Sequence, residues 1–380
     1  MIKIDRLEAF VYRAPAEPPV QTSFGLMRDR PAVLVRVTDT DGAQGWGEIW
    51  CNFPTVGAEH RARLALAYGA PLLTSRPWAH PGQAFAHLTD KLAVLALQTG
   101  EAGPLQQMVA GLDVAMWDLH ARRENRPLWQ MLGGERAAPV QLYASGINPT
   151  DPQVLAAAKR DEGYRAFKLK VGFGLQRDLA NLQAMRQALG PAAVLMADAN
   201  QAWDMETACA AGERLAAFDL LWLEEPLRAD QPPQCWSELA RRQPVRLAGG
   251  ENLAGLAQFD AFLAQAGMAV IQPDLGKWGG FTGCAEVARR AVQAGRWYCP
   301  HWLGAGIGLM ASMHLKTAIG GPGYVEVDAN PNPLRELLAM PAWTLSEGSV
   351  TLGAQPGLGV VPDLAGAERY RIDLPTSGLA

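Results

Sequence analysis

From residue 139 onward the chain alternates short apolar runs with longer stretches rich in Ala, Leu, Gln and Arg. The runs fall at 140–144, 166–171, 193–197, 220–223, 245–249, 268–272, 297–300 and 324–327, lengths that suit buried strands. The stretches at 153–162, 178–189, 205–218, 256–266, 282–294 and 309–319 carry the composition of helices. Strand and helix alternating over roughly 190 residues predict a parallel (β/α) barrel, with an open doubly wound sheet as the competing architecture. Residues 1–134 read differently. Strands at 33–37 and 45–50 flank a Thr40-Asp41-Gly42 turn, and helical patterns at 60–68 and 108–123 follow, an α+β texture. The turn-rich tail, with a strand-like 349–352 and Pro356-Gly357-Leu358-Gly359, is expected to pack back on that segment. The division is therefore an α+β unit at 1–135, a barrel at 136–340 and a returning tail at 341–380.

A parallel barrel gathers its chemistry at the C-terminal ends of its strands. The residues at or just past the expected strand ends are Lys170, Asp198, Glu224, Glu251, Asp274, His301 and Glu326, each about one βα unit of ~25 residues beyond the last. Helix caps and solvated loops also place carboxylates at strand ends, but a repeat at every step points to a shared cavity. Asp198, Glu224 and Glu251 on consecutive strands form an oxygen set for a hard divalent cation such as Mg²⁺. Without a cation, three carboxylates together would repel. No Cys or second His accompanies them to suggest zinc. Glu225 is set aside, because the next residue along a strand should face the other way.

Lys168 and Lys170 share one strand face. Their mutual repulsion is expected to lower the pKa of one toward that of a general base, the other pairing with a carboxylate. Asp274 is placed to orient His301 and raise its pKa.

Composition narrows the partners. The chain has 380 residues, 49% hydrophobic and 19% charged, with a formal net charge of −4. Its basic residues are scattered, so neither nucleic acid nor a membrane surface is expected as partner. Five cysteines, widely spaced, predict neither disulfides nor a zinc site. No apolar stretch reaches ~18 residues and no signal peptide is evident, so a cytoplasmic protein acting on a small molecule is expected. Gly304-Ala305-Gly306-Ile307-Gly308 lacks nucleotide-loop spacing and reads as a helix start.

These residues resemble the enolase superfamily, in particular its mandelate racemase-like subgroup. The resemblance lies in Lys168-Leu169-Lys170, Asp198-Ala199-Asn200, Glu224-Glu225-Pro226, Gly249-Gly250-Glu251, Gln272-Pro273-Asp274 with Gly279-Gly280, Pro300-His301 and Glu326. It extends through Phe24-Gly25, Arg30-Pro31, Pro127-Leu128-Trp129 and Gly357-Leu358-Gly359, nearly the whole chain. It implies a modified TIM barrel, (β/α)₇β, beneath an α+β capping domain, and a homo-oligomer. It implies Mg²⁺, with Mn²⁺ as a substitute, on Asp198, Glu224 and Glu251. Lys170 on one substrate face and Asp274–His301 on the other are the implied acid/base groups, with Glu326 hydrogen-bonding a substrate carboxylate.

Lys168 joins the catalytic candidates, and Asn200, Trp302 and Arg28 are the candidates for substrate contact. Lys277 lies in a Lys-x-Gly-Gly setting like that of a catalytic Lys in the muconate-lactonizing subgroup, and is left out because Asp274 with His301 fits the racemase pattern better. The implied chemistry is abstraction of a proton α to a carboxylate, then dehydration of an acid sugar, or else racemisation, epimerisation or cycloisomerisation. A Schiff-base lyase using Lys170 and a non-catalytic ligand-binding barrel are the alternatives of a different kind.

Overall fold

The computed structural model describes residues 1–23, 25–265 and 267–374. Phe24 of the Phe24-Gly25 pair, Ala266 at the end of one expected helix, and 375–380 of the expected tail lie outside the described residues. The chain opens with an antiparallel sheet of β1 (Ile4–Thr22), β2 (Gly25–Asp39) and β3 (Gln44–Ile49). Period two divides β2 between two cores: Val33, Val35 and Val37 face the cap's own helices, whereas Ala32 and Leu34 join the cluster that runs into the barrel. The helix Ala102–Arg123 is likewise buried on both sides. Gly45 and Gly47 of β3 let its backbone lie close, since a Cβ on either would collide with a carbonyl of that helix.

The barrel strands are β4 (Val140–Ile147), β5 (Ala166–Lys170), β6 (Val194–Asp198), β7 (Leu220–Glu224), β8 (Leu247–Gly249), β9 (Met268–Ile271), β10 (Trp297–Tyr298) and β11 (Tyr324–Asp328). They form a parallel path from β10 back through β9, β8, β7, β6, β5 and β4 to β11, so the barrel is nearly closed. Seven helices, from Pro152–Asp161 to Gly306–Ile319, connect them. The fold is the expected modified TIM barrel with an antiparallel-sheet cap.

After the barrel the tail divides. β12 (Ser349–Val350) pairs antiparallel with β4 of the barrel, whereas β13 (Arg371–Ile372) pairs with β1 of the cap at Val11 and Tyr12. β1 itself is absent from the sequence expectation, and its second half carries Pro15, Pro18 and Pro19, residues uncommon inside strands. The sheet accommodates them through a register shift between Pro15 and Val20. All five cysteines are free thiols, and among the described residues no helix is long and apolar enough to cross a membrane.

The two lobes meet over the barrel mouth. The hairpin joining β1 to β2 reaches across it, with Ser23 Oγ donating to the Asn200 carbonyl at 2.8 Å and the Gln21 amide to Asn148 Oδ1 at 2.9 Å. Behind this hairpin, Arg30 and Asp328 form a buried ion pair between cap and barrel.

Candidate active site

Strand register builds the site. In the ladder Lys170 of β5 lies opposite Asp198 of β6, and Asp198 opposite Glu224 of β7. Glu251 follows β8 by way of Gly250, whose φ of 125° brings the backbone close to Gln272. Asp274 and His301 sit in the loops after β9 and β10. Glu326 departs from expectation: it lies in the middle of β11 with its carboxylate toward the cavity, and the strand runs on to Asp328. None of these seven residues is more than 9% exposed, so each charge must be answered nearby.

Each is. Lys170 Nζ donates to Asp198 Oδ2 at 2.6 Å. Lys168, fully buried beneath, reaches Glu224 at 2.5 Å, Glu326 at 2.9 Å and the Tyr143 hydroxyl at 3.3 Å. Glu224 also accepts from Gln272 Nε2 at 2.6 Å and Trp222 Nε1 at 3.1 Å. His301 lies between carboxylates, its Nδ1 2.6 Å from Asp274 and its Nε2 2.6 Å from Glu251 and 3.4 Å from Glu326. Glu326 is held further by Ser145 Oγ and, at 3.1 Å, by the amide N–H of Trp302.

These contacts correct the expectation of a neutral lysine. Burial pulls the ammonium of Lys170 down and Lys168 repels it, but Asp198 outweighs both and its pKa ends raised. Lys168 is also raised, its burial outweighed by Glu224 and Glu326. Burial likewise opposes the charge of His301, yet Glu251, Glu326 and Asp274 hold it well above the ordinary imidazole value. On the acid side, burial is overcome by Lys168 and His301 at Glu326, which falls to about 2. Glu224 rises to about 7, because burial and the neighbouring Asp198, Glu326 and Glu251 outweigh Lys168.

Glu225 is also corrected. Its φ of 38° breaks the strand alternation after Glu224, and its buried carboxylate remains at the mouth, accepting from Asn252 Nδ2 at 3.0 Å. The same amide group donates to Glu251. Lys277, left out of the sequence assignment, donates to Glu251 at 2.9 Å and lies 5.0 Å from the ring centroid of Trp50 in the cap. Its Lys277-Trp278-Gly279-Gly280 setting was the signal for it. Gln272 shares a face with Asp274 in Gln272-Pro273-Asp274, which was its signal.

The substrate-contact candidates separate. Asn200, with φ 44°, turns its amide N–H onto Asp198 at 2.8 Å and keeps its buried Oδ1 unpaired. The indole of Trp302 is packed inward, its Nε1 bound to the Ala305 carbonyl, so only its backbone N–H serves the site. Arg28 is exposed on β2, apart from the buried cluster.

Among the described residues no three Asp, Glu, His or Cys side chains are already drawn into a metal cage. The donor chemistry nonetheless suits a hard divalent cation, since Asp198, Glu224 and Glu251 offer only oxygen ligands from three consecutive strands.

The N-terminal domain model of mandelate racemase and muconate lactonizing enzymes matches residues 6–133, and the enolase C-terminal domain-like model matches 153–366. A solved mandelate racemase/muconate lactonizing enzyme from Bordetella bronchiseptica is 56% identical, with a TM-score of 0.91 over 97% of this chain and 99% of that one. A racemase from Streptomyces coelicolor, solved with bound magnesium, is 27% identical with a TM-score of 0.86 over 97% and 100%. Among curated relatives, D-galactarolactone cycloisomerase of Agrobacterium fabrum is 29% identical over 98% of this chain and all of its own. L-talarate/galactarate dehydratase of Salmonella typhimurium is 32% identical over 71% of this chain and 66% of its own. Motif register, barrel-and-cap architecture and both domain matches agree: the chain belongs to the mandelate racemase-like enzymes of the enolase superfamily.

Proposed function

We propose that the site removes the proton α to the carboxylate of a sugar acid and expels an oxygen substituent from the β carbon, most simply as water. One observation carries this reading. Two buried proton carriers, Lys170 after β5 and His301 after β10, are each tied to a carboxylate, and the strands between them bring three oxygen donors to the same mouth.

In this reading Asp198, Glu224 and Glu251 hold Mg²⁺, with Mn²⁺ as a substitute, and the bound ion supplies positive charge toward the substrate carboxylate. Glu326, hydrogen-bonded to Trp302 and Ser145 and held ionised by Lys168 and His301, faces the other oxygen of that carboxylate and must take up a proton to donate to it. One of Lys170 and His301, once deprotonated, takes the α-proton, and the other, still protonated, gives its proton to the departing β-hydroxyl. Water leaves, and the enol that remains tautomerises to a 2-keto acid. Lys168, enclosed by Glu224, Glu326 and Tyr143, keeps its proton and fixes those carboxylates.

A second reading shares the first half-reaction. In a cycloisomerase the oxygen that leaves the β carbon belongs to a ring of the same molecule, and the full-length similarity to D-galactarolactone cycloisomerase favours it. Incubation of the Mg²⁺-loaded enzyme in D₂O with galactarate, arabinonate, glucarate and galactarolactone tests both. A 2-keto acid formed with release of water supports dehydration, and ring opening without it supports cycloisomerisation. Exchange or inversion alone marks a racemase, and full turnover after EDTA refutes the metal assignment. Borohydride trapping at Lys170 would replace both readings with a Schiff-base lyase.

A further inference from the structure

Glu48, in β3 of the cap, is 3% exposed, yet among the described residues its carboxylate has no side-chain cation as a hydrogen-bond partner. Its oxygens accept instead from the backbone of the barrel, Oε1 from the Ala305 amide at 2.6 Å and Oε2 from the Gly308 amide at 2.9 Å. These amides open the helix Gly306–Ile319, where a negative charge is favoured. The segment between β10 and that helix has no regular structure of its own and carries His301 and Trp302. The Trp302 indole donates to the Ala305 carbonyl at 2.9 Å and packs against Gly304 and Gly308, where a Cβ would collide with its ring. The Trp302 amide holds Glu326 at 3.1 Å. Asn52 of the cap adds a bond to the Leu303 carbonyl at 2.7 Å. The chain of contacts is therefore continuous: Glu48 fixes Ala305 and Gly308, these fix Trp302, and Trp302 fixes Glu326 beside His301. Lys170, on β5, takes no part in it.

We infer that Glu48 is a positioning residue for the His301–Glu326 side of the site, so that docking of the cap and alignment of one of the two proton carriers are a single event. The inference rests on the reading that His301 carries a proton during turnover. A brace of the fold alone would affect stability and leave the imidazole as it is, whereas a positioning role changes the hydrogen bond between His301 and Asp274.

The test compares wild type, Glu48→Gln and Glu48→Asp. The first keeps the volume but sets an NH₂ group against one amide; the second keeps the carboxyl group but is too short to span both. Proton NMR follows the downfield N–H expected from the 2.6 Å His301–Asp274 contact, assigned by its loss in His301→Asn. Thermal midpoints and turnover of galactarate and galactarolactone with Mg²⁺ are measured on the same samples. In both folded variants the resonance is expected to shift or broaden, and kcat to fall roughly 10- to 100-fold with KM nearly unchanged. A folded variant that keeps the wild-type resonance and kcat overturns the inference, as does failure of both variants to fold, which makes Glu48 a brace. The resonance needs no substrate. If the wild type acts on no sugar acid while the resonance still responds to Glu48, the proposed reaction fails and the positioning role stands.

Discussion

Two sets of buried carboxylates in this molecule are stabilised in different ways, with Asp328, paired to Arg30 at the seam, belonging to neither. At the barrel mouth Asp198, Glu224, Glu251, Asp274 and Glu326 face side-chain cations: Lys170, Lys168, Lys277 and His301. In the seam between cap and barrel, Glu48, Asp113 and Asp118 are satisfied chiefly by backbone amides. Asp113 accepts from the Thr282 N–H and hydroxyl, and Asp118 from the amides of Trp46 and Leu358, with Arg122 as its charged partner. The seam joins segments by satisfying donors that would otherwise be buried unpaired. The mouth instead pairs its carboxylates with side-chain ammonium and imidazole groups, the kind of group the proposed reaction needs.

The sharpest way to break this contrast is to remove the two proposed proton carriers. Lys170→Ala and His301→Asn should each lower turnover by about 10² to 10⁴ while leaving the fold intact. Deuterium exchange should persist only on the substrate face served by the remaining group. Wild-type kinetics in either variant, on a verified substrate, would end the two-carrier mechanism.

Removing a fixed charge from the mouth tests the contrast through stability. Lys168→Met leaves Glu224 and Glu326 buried without their ammonium and should cost about 3 to 5 kcal/mol in chemical denaturation. A loss below about 1 kcal/mol would show that those carboxylates do not depend on it.

The seam predicts a pH dependence of its own. Burial pushes Asp113 up to about 7 from an ordinary 3.8, its bonds from Thr282 offsetting only part of the rise. With the folded value raised, the unfolded chain ionises first, so this residue's contribution to stability is lost as pH rises from about 4 to 7. Asp113→Asn should remove that loss and gain on the order of 3 kcal/mol relative to wild type at pH 8 over pH 4. Denaturation curves of equal relative stability at the two pH values would contradict it. The smallest effect belongs to Arg28, exposed outside both regions: Arg28→Ala should change stability by less than about 0.5 kcal/mol and leave kcat unchanged, with KM for a sugar acid reporting any contact.

The mouth was legible in the sequence because a βα repeat gives each strand end a fixed place, and Lys170, Asp198 and Glu224 fall on one ladder row. Lys168 was visible as a partner of Lys170, and Asp198, Glu224 and Glu326 as neighbours at the mouth, but not that these carboxylates come close enough to keep both ammonium groups protonated. Glu225 was misread because a left-handed residue stops the strand's alternation, and nothing in Glu224-Glu225-Pro226 announces that φ. The seam was nearly invisible. Asp113 and Asp118 stand in a helix buried on both sides, where no amphipathic stripe shows that a carboxylate faces inward. Glu48 looks like any polar residue on an edge strand until the turn after His301 is brought beneath it.

The pairing of β13 with β1 has a consequence for how the chain is made. In the sheet order β13-β1-β2-β3, β1 is a bare edge until residues 371–372 arrive, and at about 5 to 20 residues per second synthesis takes on the order of half a minute to reach them. A 19-residue edge left open that long invites pairing with another nascent chain. Pro15, Pro18 and Pro19 interrupt its row of donors, and β13 needs only Val11 and Tyr12. The prolines of β1, uncommon inside strands, thus shield it from its neighbours on the polysome.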